Sequence, residues 1–202
     1  MEYFIVGTFW TLYCVLHSYL ISIHFTSLMR VYLKRYYAFY RLFYVLISLV
    51  LIVPLIRYSA GIESTRIMTY SLPLNSVRLG LIAASLAIFF WTFFFSYDPL
   101  SFFGIRQIMN REKGQIKATK ELSRKGLLGV ARHPMYTALI VCLWCQIFTI
   151  KDILVNTILT IYVIIGTILE ERKLVLEFGN AYLKYQQQVP MLIPFFKLKD
   201  SK

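Results

Sequence analysis

Arginine, histidine, proline and tyrosine stand together in the stretch Ala131-Arg132-His133-Pro134-Met135-Tyr136, where a polar segment rich in lysine and arginine meets an apolar run. A helix needs one such residue to begin, not all of them. Pro134 suits the first helical position, where its missing N–H has no intrahelical partner to lose. It also biases His133 toward extended backbone, which sets the imidazole at the rim of the helix. Unpaired N–H groups at that mouth, flanked by Arg132 and His133, suit an anion such as a carboxylate or phosphate. A plainer reading has Arg132 reaching to lipid headgroups and His133 capping the helix. A second pair, Glu170-Glu171, stands at the end of another apolar run. Two carboxylates at a helix C-terminus oppose the macrodipole, which favours cations there. Polar groups kept at such cost beside a membrane bundle are candidates for function, although pairing with Arg172, Lys173 or the basic segment would also account for them.

The elements that must position these residues are apolar. The chain has 202 residues, 58% hydrophobic and 17% aromatic, with a mean hydropathy of +0.60. A bilayer core needs roughly 20 apolar residues in helix, and residues 3–28, 37–56, 77–97, 134–150 and 153–169 supply five predicted spans. The fourth is short, which allows a tilted or partly re-entrant path. The fold class is therefore all-α: a polytopic helical membrane protein. Residues 1–97 form its three-helix part. Residues 98–202 carry a loop, a helical hairpin and a C-terminal helix, the two parts making one integrated domain. Met1-Glu2 offers no basic flank before the first span, and no small-residue cleavage site follows it, which argues against a cleaved leader.

The net charge of +12 raises nucleic acid as a partner, and its distribution excludes it. Arg30, Lys34, Arg35 and Arg41 fall on one predicted side with eight basic residues of the 98–132 segment (Arg106, Arg111, Lys113, Lys117, Lys120, Arg124, Lys125 and Arg132) and with the basic tail. Arg57, Arg66, Arg78 and Lys151 are left for the other. Basic loops stay cytoplasmic, so the N-terminus is predicted outside and the C-terminus in the cytoplasm, with membrane lipids as partners of the basic face. Cys142 and Cys145 have the spacing of a redox or metal pair. Two further ligands and a βαβ setting are missing, so they read as small apolar side chains and no metal is expected. His17 and His24 lie on one face of the first span, too far apart along it to clamp a haem.

Phe102, Phe103, Ile105, Ile108 and Met109 suggest a short helix in the headgroup plane. Beyond the fifth span, Leu174, Phe178 and Leu183 keep helical spacing, predicting that the span extends into the cytoplasm or bends there near Gly179. Residues 189–197 then end the chain with apolar side chains suited to the interface. A short turn around Lys151-Asp152 makes spans four and five an antiparallel hairpin, which brings Arg132–Tyr136 level with Glu170-Glu171.

Taken as a set, Gly126-Leu-Leu-Gly-Val130, Arg132-His133-Pro134-x-Tyr136, Glu170-Glu171 and Phe178-Gly179-x-x-Tyr182-x-x-Tyr185 resemble the C-terminal half of the isoprenylcysteine carboxyl methyltransferase and phospholipid methyltransferase superfamily. The resemblance implies S-adenosylmethionine as cofactor, in a cytoplasmic pocket formed by the C-terminal hairpin. Gly126, Leu127, Leu128, Val130, Arg132, His133 and Tyr136 would line it, and Glu170 and Glu171 would close it. Softer apolar motifs in residues 16–22, 40–56, 102–108 and 189–194 are similar to the methanethiol S-methyltransferase branch, and to membrane proteins associated with nitric oxide reductase. Gly166 stands where the carboxyl methyltransferases carry an arginine, four residues before Glu170, and Leu128 replaces a common aromatic. The first departure points from a carboxylate acceptor toward a thiol.

The expected activity is S-methylation of a small lipophilic thiol such as methanethiol, or of a lipid-borne nucleophile, at a prokaryotic inner membrane. Glu170 is expected to position the thiol or take its proton, with His17 a second candidate. For His17 the plainer alternative is a neutral histidine hydrogen-bonded within the bundle. Carboxyl or phospholipid-amine methylation is the alternative reaction, and a non-catalytic accessory factor the alternative class.

Overall fold

The structure, a computed structural model, describes residues 1–67, 70–110, 122, 124 and 126–194. Arg111, Lys113, Lys117, Lys120 and Lys125 of the basic segment, and the tail from residue 195 onward, lie outside the described residues.

Helix α1 (Glu2–Ile21) stops at Ser22, whose backbone is extended (φ −62°, ψ 152°) and whose Oγ accepts from Phe25 N at 3.2 Å. That serine cap begins a second helix, α2 (Ile23–Leu33), so the apolar stretch 3–28 is two helices rather than one span. A 3₁₀ turn (Lys34–Phe39) leads into α3 (Tyr40–Gly61), which carries Pro54 in its interior. Helix α4 (Leu72–Trp91) relaxes into a wide π turn over Thr92–Ser96. The predicted short helix after it is two pieces, α5 (Pro99–Phe102) and α6 (Ile105–Met109), divided by Gly104 at φ +84°.

Helix α7 (Pro134–Trp144) has 11 residues, about 16 Å at 1.5 Å per residue, well short of a crossing. It was expected to reach residue 150. The chain turns earlier because Thr149 and Asp152 cap the next helix reciprocally: Thr149 N donates to Asp152 Oδ2 at 2.9 Å, and Asp152 N to Thr149 Oγ1 at 3.3 Å. Lys151 and Asp152, expected in the turn, are thus the first turn of α8 (Ile150–Phe178). Gly179, at φ +56°, bends the chain into α9 (Asn180–Gln188), where the sequence allowed a bend.

Among the described residues, four helical stretches are long and apolar enough to cross a membrane: Glu2–Ile21, Ile23–Gly61, Leu72–Ser96 and Ile150–Phe178. Large apolar side chains stand exposed along them, Leu12, Val15, Val50 and Phe95 among them. In water so much exposed apolar surface would be costly. The protein is an all-α integral membrane protein.

The chain forms two compact units. The first holds Met1–Ile67, Asp98–Ala118 and Phe148–Leu159, around a core of Val6, Trp10, Leu55 and Val155. Trp10 Nε1 donates to Ser59 Oγ at 2.9 Å, and Lys151 Nζ to the Ser59 carbonyl at 2.5 Å. From sequence Lys151 was expected in the short turn between the last two spans, among the few cations of the less basic side. It is buried, with its ammonium on the last carbonyls of α3.

Gly104 seats the α5–α6 segment on the start of α3, where Arg41 Nε donates to Phe102 O at 2.9 Å. A Cβ at Gly104 would meet Leu42 N at 2.8 Å and Arg41 Cβ at 2.9 Å. Gly104→Ala is accordingly expected to destabilise this unit by more than the ~1–2 kcal/mol that positive φ alone costs. A lowered midpoint in thermal unfolding of the detergent-solubilised protein is the check.

The second unit holds Met68–Tyr97, Thr119–Ile147 and Thr160–Lys202. There α4 packs along α7. Tyr182, Tyr185 and Val189 form a buried cluster with Leu122, Leu174, Val175 and Phe178.

Candidate functional site

The second unit assembles both motifs. Some 30 Å separate the start of α8 from Glu170-Glu171 at helical rise, one bilayer core in length, so the carboxylates emerge where the apolar run ends. The mouth of α7 meets them there, as the hairpin reading predicted.

Glu171 is the hub. Its Oε1 accepts from Arg132 Nε at 2.5 Å, His133 Nε2 at 3.0 Å and Tyr182 Oη at 3.0 Å. Its Oε2 accepts from Arg132 Nη2 at 2.7 Å and Gln186 Nε2 at 2.8 Å. A carboxylate has about four lone-pair sites, and five donors saturate it. Arg172 and Lys173 supply none of these partners; the basic segment does, through its last member, Arg132. Arg132 is used up in turn, since its Nη1 donates to the carbonyls of Gln186 and Val189. Its side chain is 8% exposed and that of Glu171 9%, so Arg132 does not snorkel to headgroups.

The expected row of unpaired N–H groups is also occupied. Arg132 N donates to Pro190 O at 2.9 Å and His133 N to Met191 O at 3.0 Å, while Tyr136 N and Thr137 N close onto His133 O. Thr137 Oγ1 donates to Leu192 O at 2.6 Å. Residues 186–192 thus form a strap across the helix mouth, and the anion site expected from backbone amides is filled by the protein's own carbonyls.

Capacity remains at two atoms. Glu170, half-buried, accepts one hydrogen bond among the described residues, from Tyr136 Oη to its Oε2 at 2.8 Å. His133 is 2% exposed, and its Nδ1 is buried with no partner among the described residues. With Nε2 donating to the Glu171 carboxylate, Nδ1 of the neutral ring is left as an acceptor. The His133 ring stacks on Tyr136, with centroids 5.6 Å apart at 13°, which ties the two atoms into one arrangement.

The Gly126–Gly129 segment is a 3₁₀ turn that begins with Gly126 at φ +61°. Leu127 and Leu128 are half-buried and Val130 exposed. Tyr185 Oη donates to Leu128 O at 2.5 Å, fixing this turn to α9. Burial pushes the Tyr185 hydroxyl from 10.0 up to about 12 against the lowering pull of Arg132 and Arg124, and burial with Glu171 raises Tyr182 as well. A hydroxyl whose pKa is raised on folding contributes stability that is complete below about pH 10 and lost as pH rises through the folded value. The unit is therefore expected to weaken between pH 10 and about 12. Tyr185→Phe should remove that share of the pH dependence in alkaline unfolding followed by tyrosinate absorbance.

His17 lies in the first unit. Ser48 Oγ spends its hydrogen on Tyr44 O at 2.8 Å, so it accepts from His17 Nδ1 at 3.1 Å, and His17 Nε2 accepts from Tyr44 Oη at 2.6 Å. Both ring nitrogens are engaged in packing α1 on α3. Sequence reasoning passed over Gln186, Thr137 and the strap. Tyr182 and Tyr185 were visible only as a spaced pair, and no local signal tells which glutamate such partners will saturate.

Comparison with known proteins finds the same reaction class in several relatives. The chain is 35% identical to methanethiol S-methyltransferase 1 of Bradyrhizobium diazoefficiens over 54% of its own length and 38% of the relative's. It is 33% identical to the methanethiol S-methyltransferase of Pseudomonas deceptionensis over 58% and 47%. Against that of Crocosphaera subtropica the identity is 30%, over 52% and 42%. No family model matches the chain, and no solved structure matches it. The chain thus spans less than half the length of these curated relatives, and over that span it is similar to methanethiol S-methyltransferases, consistent with the superfamily of membrane methyltransferases.

Proposed function

We propose that this protein is an S-adenosylmethionine-dependent membrane methyltransferase that methylates a small thiol, methanethiol first among candidates. The observation that carries the reading is the pairing of Glu170, a carboxylate with one partner, and His133 Nδ1, a buried acceptor with none. These groups fit a cofactor that bears a sulfonium and an ammonium. Glu170 would face positive charge, and His133 Nδ1 would accept from an N–H. The Gly126–Val130 turn and Tyr136 would line the remainder.

When bound, the cofactor supplies a methyl carbon to which the thiolate sulfur bonds, as the old carbon–sulfur bond breaks and its electron pair stays on the departing thioether. The chain's task is alignment and exclusion of water, which can supply several kcal/mol. Free carboxylates are weaker bases than free thiolates by roughly four pKa units, so Glu170 acts by holding charge and orientation, and the thiol proton leaves to solvent. Tyr136 fixes the Glu170 carboxylate, and the strap holds Arg132 and His133. His17 serves the scaffold of the first unit.

A Cβ on Gly166 meets nothing within 4 Å, so α8 offers open space one turn before Glu170. That space suits a small acceptor arriving from the bilayer, and Gly166 brings no cation for a carboxylate. The excess of basic residues favours a cytoplasmic C-terminus and an outside N-terminus in a prokaryotic inner membrane.

The test is dimethyl sulfide released from methanethiol and S-adenosylmethionine by the detergent-purified protein. Gly166→Leu is expected to raise KM for the thiol roughly tenfold with cofactor affinity unchanged. A folded sample that neither binds the cofactor nor releases thioether would overturn the reading.

A further inference from the structure

We infer a second binding site, in the first unit, for the phosphate headgroup of an anionic phospholipid, formed by Arg30, Lys34 and Arg35. It is independent of the methyltransferase reading. These three exposed cations sit at the end of α2 and in the turn that follows, and the sequence holds no carboxylate between Glu2 and Glu63. Among the described residues the ion pairs are those of Arg106 with Asp98 and of Arg132 and His133 with Glu171, none of which involves this cluster.

Among the described residues the arginines are held by rings and meet no carboxylate. The Arg30 guanidinium lies 5.1 Å from the Tyr37 ring centroid. Arg35 lies 4.8 Å from that of Tyr36, and its Nη2 donates to Tyr36 Oη at 2.7 Å. Tyr37 stacks on Tyr40 at 5.7 Å and 4°, and Tyr40 Oη donates to Leu20 O at 2.6 Å. A guanidinium fixed by a ring face keeps its N–H edges for a bidentate acceptor such as phosphate, at a reduced entropic cost.

Lys34, at φ +46°, is the one non-glycine residue of positive φ among those described. A lysine rarely adopts that conformation without compensation, and here it ends α2 with the Lys34 N–H donating to Arg30 O, one helical turn back. Val31 and Tyr32, 70% and 71% exposed, adjoin the cations. Apolar and aromatic surface beside unneutralised arginines matches the boundary between headgroup and acyl chain, which selects a lipid over a free phosphate ion.

The experiment measures binding of phosphatidylglycerol, phosphatidylcholine and inorganic phosphate to the detergent-purified protein, with lipid retention read by native mass spectrometry. Wild type is compared with Arg30→Gln/Lys34→Gln/Arg35→Gln and with Arg30→Lys/Arg35→Lys, which keeps the charge. The expected result is a preference for phosphatidylglycerol over phosphatidylcholine that falls roughly fivefold for each cation removed, is weakened but not lost in the lysine variant, which keeps the charge without the guanidinium fork, and weakens with salt. Equal binding of the two lipids by wild type would overturn the inference. So would an undiminished preference in the neutral variant, or inorganic phosphate competing as well as the lipid does. Should the neutral variant fail to fold, a wild-type preference that ignores salt would overturn it equally.

Discussion

Arg132→Ala is expected to cost the protein about 3–5 kcal/mol, the usual result of stranding one member of a buried ion pair, and to lower its thermal midpoint by on the order of 10 °C. The effect is large because the guanidinium both neutralises Glu171 and binds the carbonyls of Gln186 and Val189. Its loss leaves a buried carboxylate with neutral partners and releases the strap. Replacing both ends, Arg132→Met with Glu171→Leu, is expected to recover part of the loss, since a matched apolar pair often equals a buried salt bridge. Thermal unfolding of the detergent-solubilised variants, followed by circular dichroism, checks both statements.

Glu170→Gln is expected to do the opposite. The amide oxygen can still accept from Tyr136, so stability should stay within about 0.5 kcal/mol of wild type. The negative charge is gone, and truncating one partner of a close charge pair typically costs 2–5 kcal/mol of binding. Cofactor affinity should therefore fall at least about thirtyfold, with turnover falling alongside. Equilibrium binding of labelled S-adenosylmethionine and thioether release provide the two readouts.

The sequence was informative where local rules act alone. Pro134 at the start of α7, the bend at Gly179 and the convergence of Arg132–Tyr136 with Glu170-Glu171 all follow from dihedral preference, helix length and a hairpin. Ser22 and the Thr149–Asp152 capping box were equally local, yet both lie within or beside apolar runs that suggest continuous spans. One capping hydrogen bond at Ser22 and two at Thr149–Asp152 outweighed hydrophobic continuity.

The division between Glu170 and Glu171 was not legible. Adjacent positions on a helix point about 100° apart, and which face meets Arg132, Tyr182 and Gln186 depends on how α7 and α9 lie against α8. The free amides expected at the α7 mouth were lost for the same reason. Their acceptors, Pro190 and Met191, lie far along the chain in a segment that reads only as apolar and terminal. Lys151 shows the converse. A charge expected in a connecting turn is buried because the end of α3 supplies carbonyls to hold it.

In the proposed function two neighbouring glutamates divide the work, Glu171 holding the second unit together and Glu170 meeting the cofactor. The most direct test is S-adenosylmethionine binding and thermal stability measured side by side for Glu170→Gln and Glu171→Gln. Glu170→Gln is expected to keep the wild-type midpoint and lose affinity, while Glu171→Gln is expected to unfold at lower temperature. A stable Glu171→Gln that has lost the cofactor, or a Glu170→Gln that binds it as wild type does, would contradict that division.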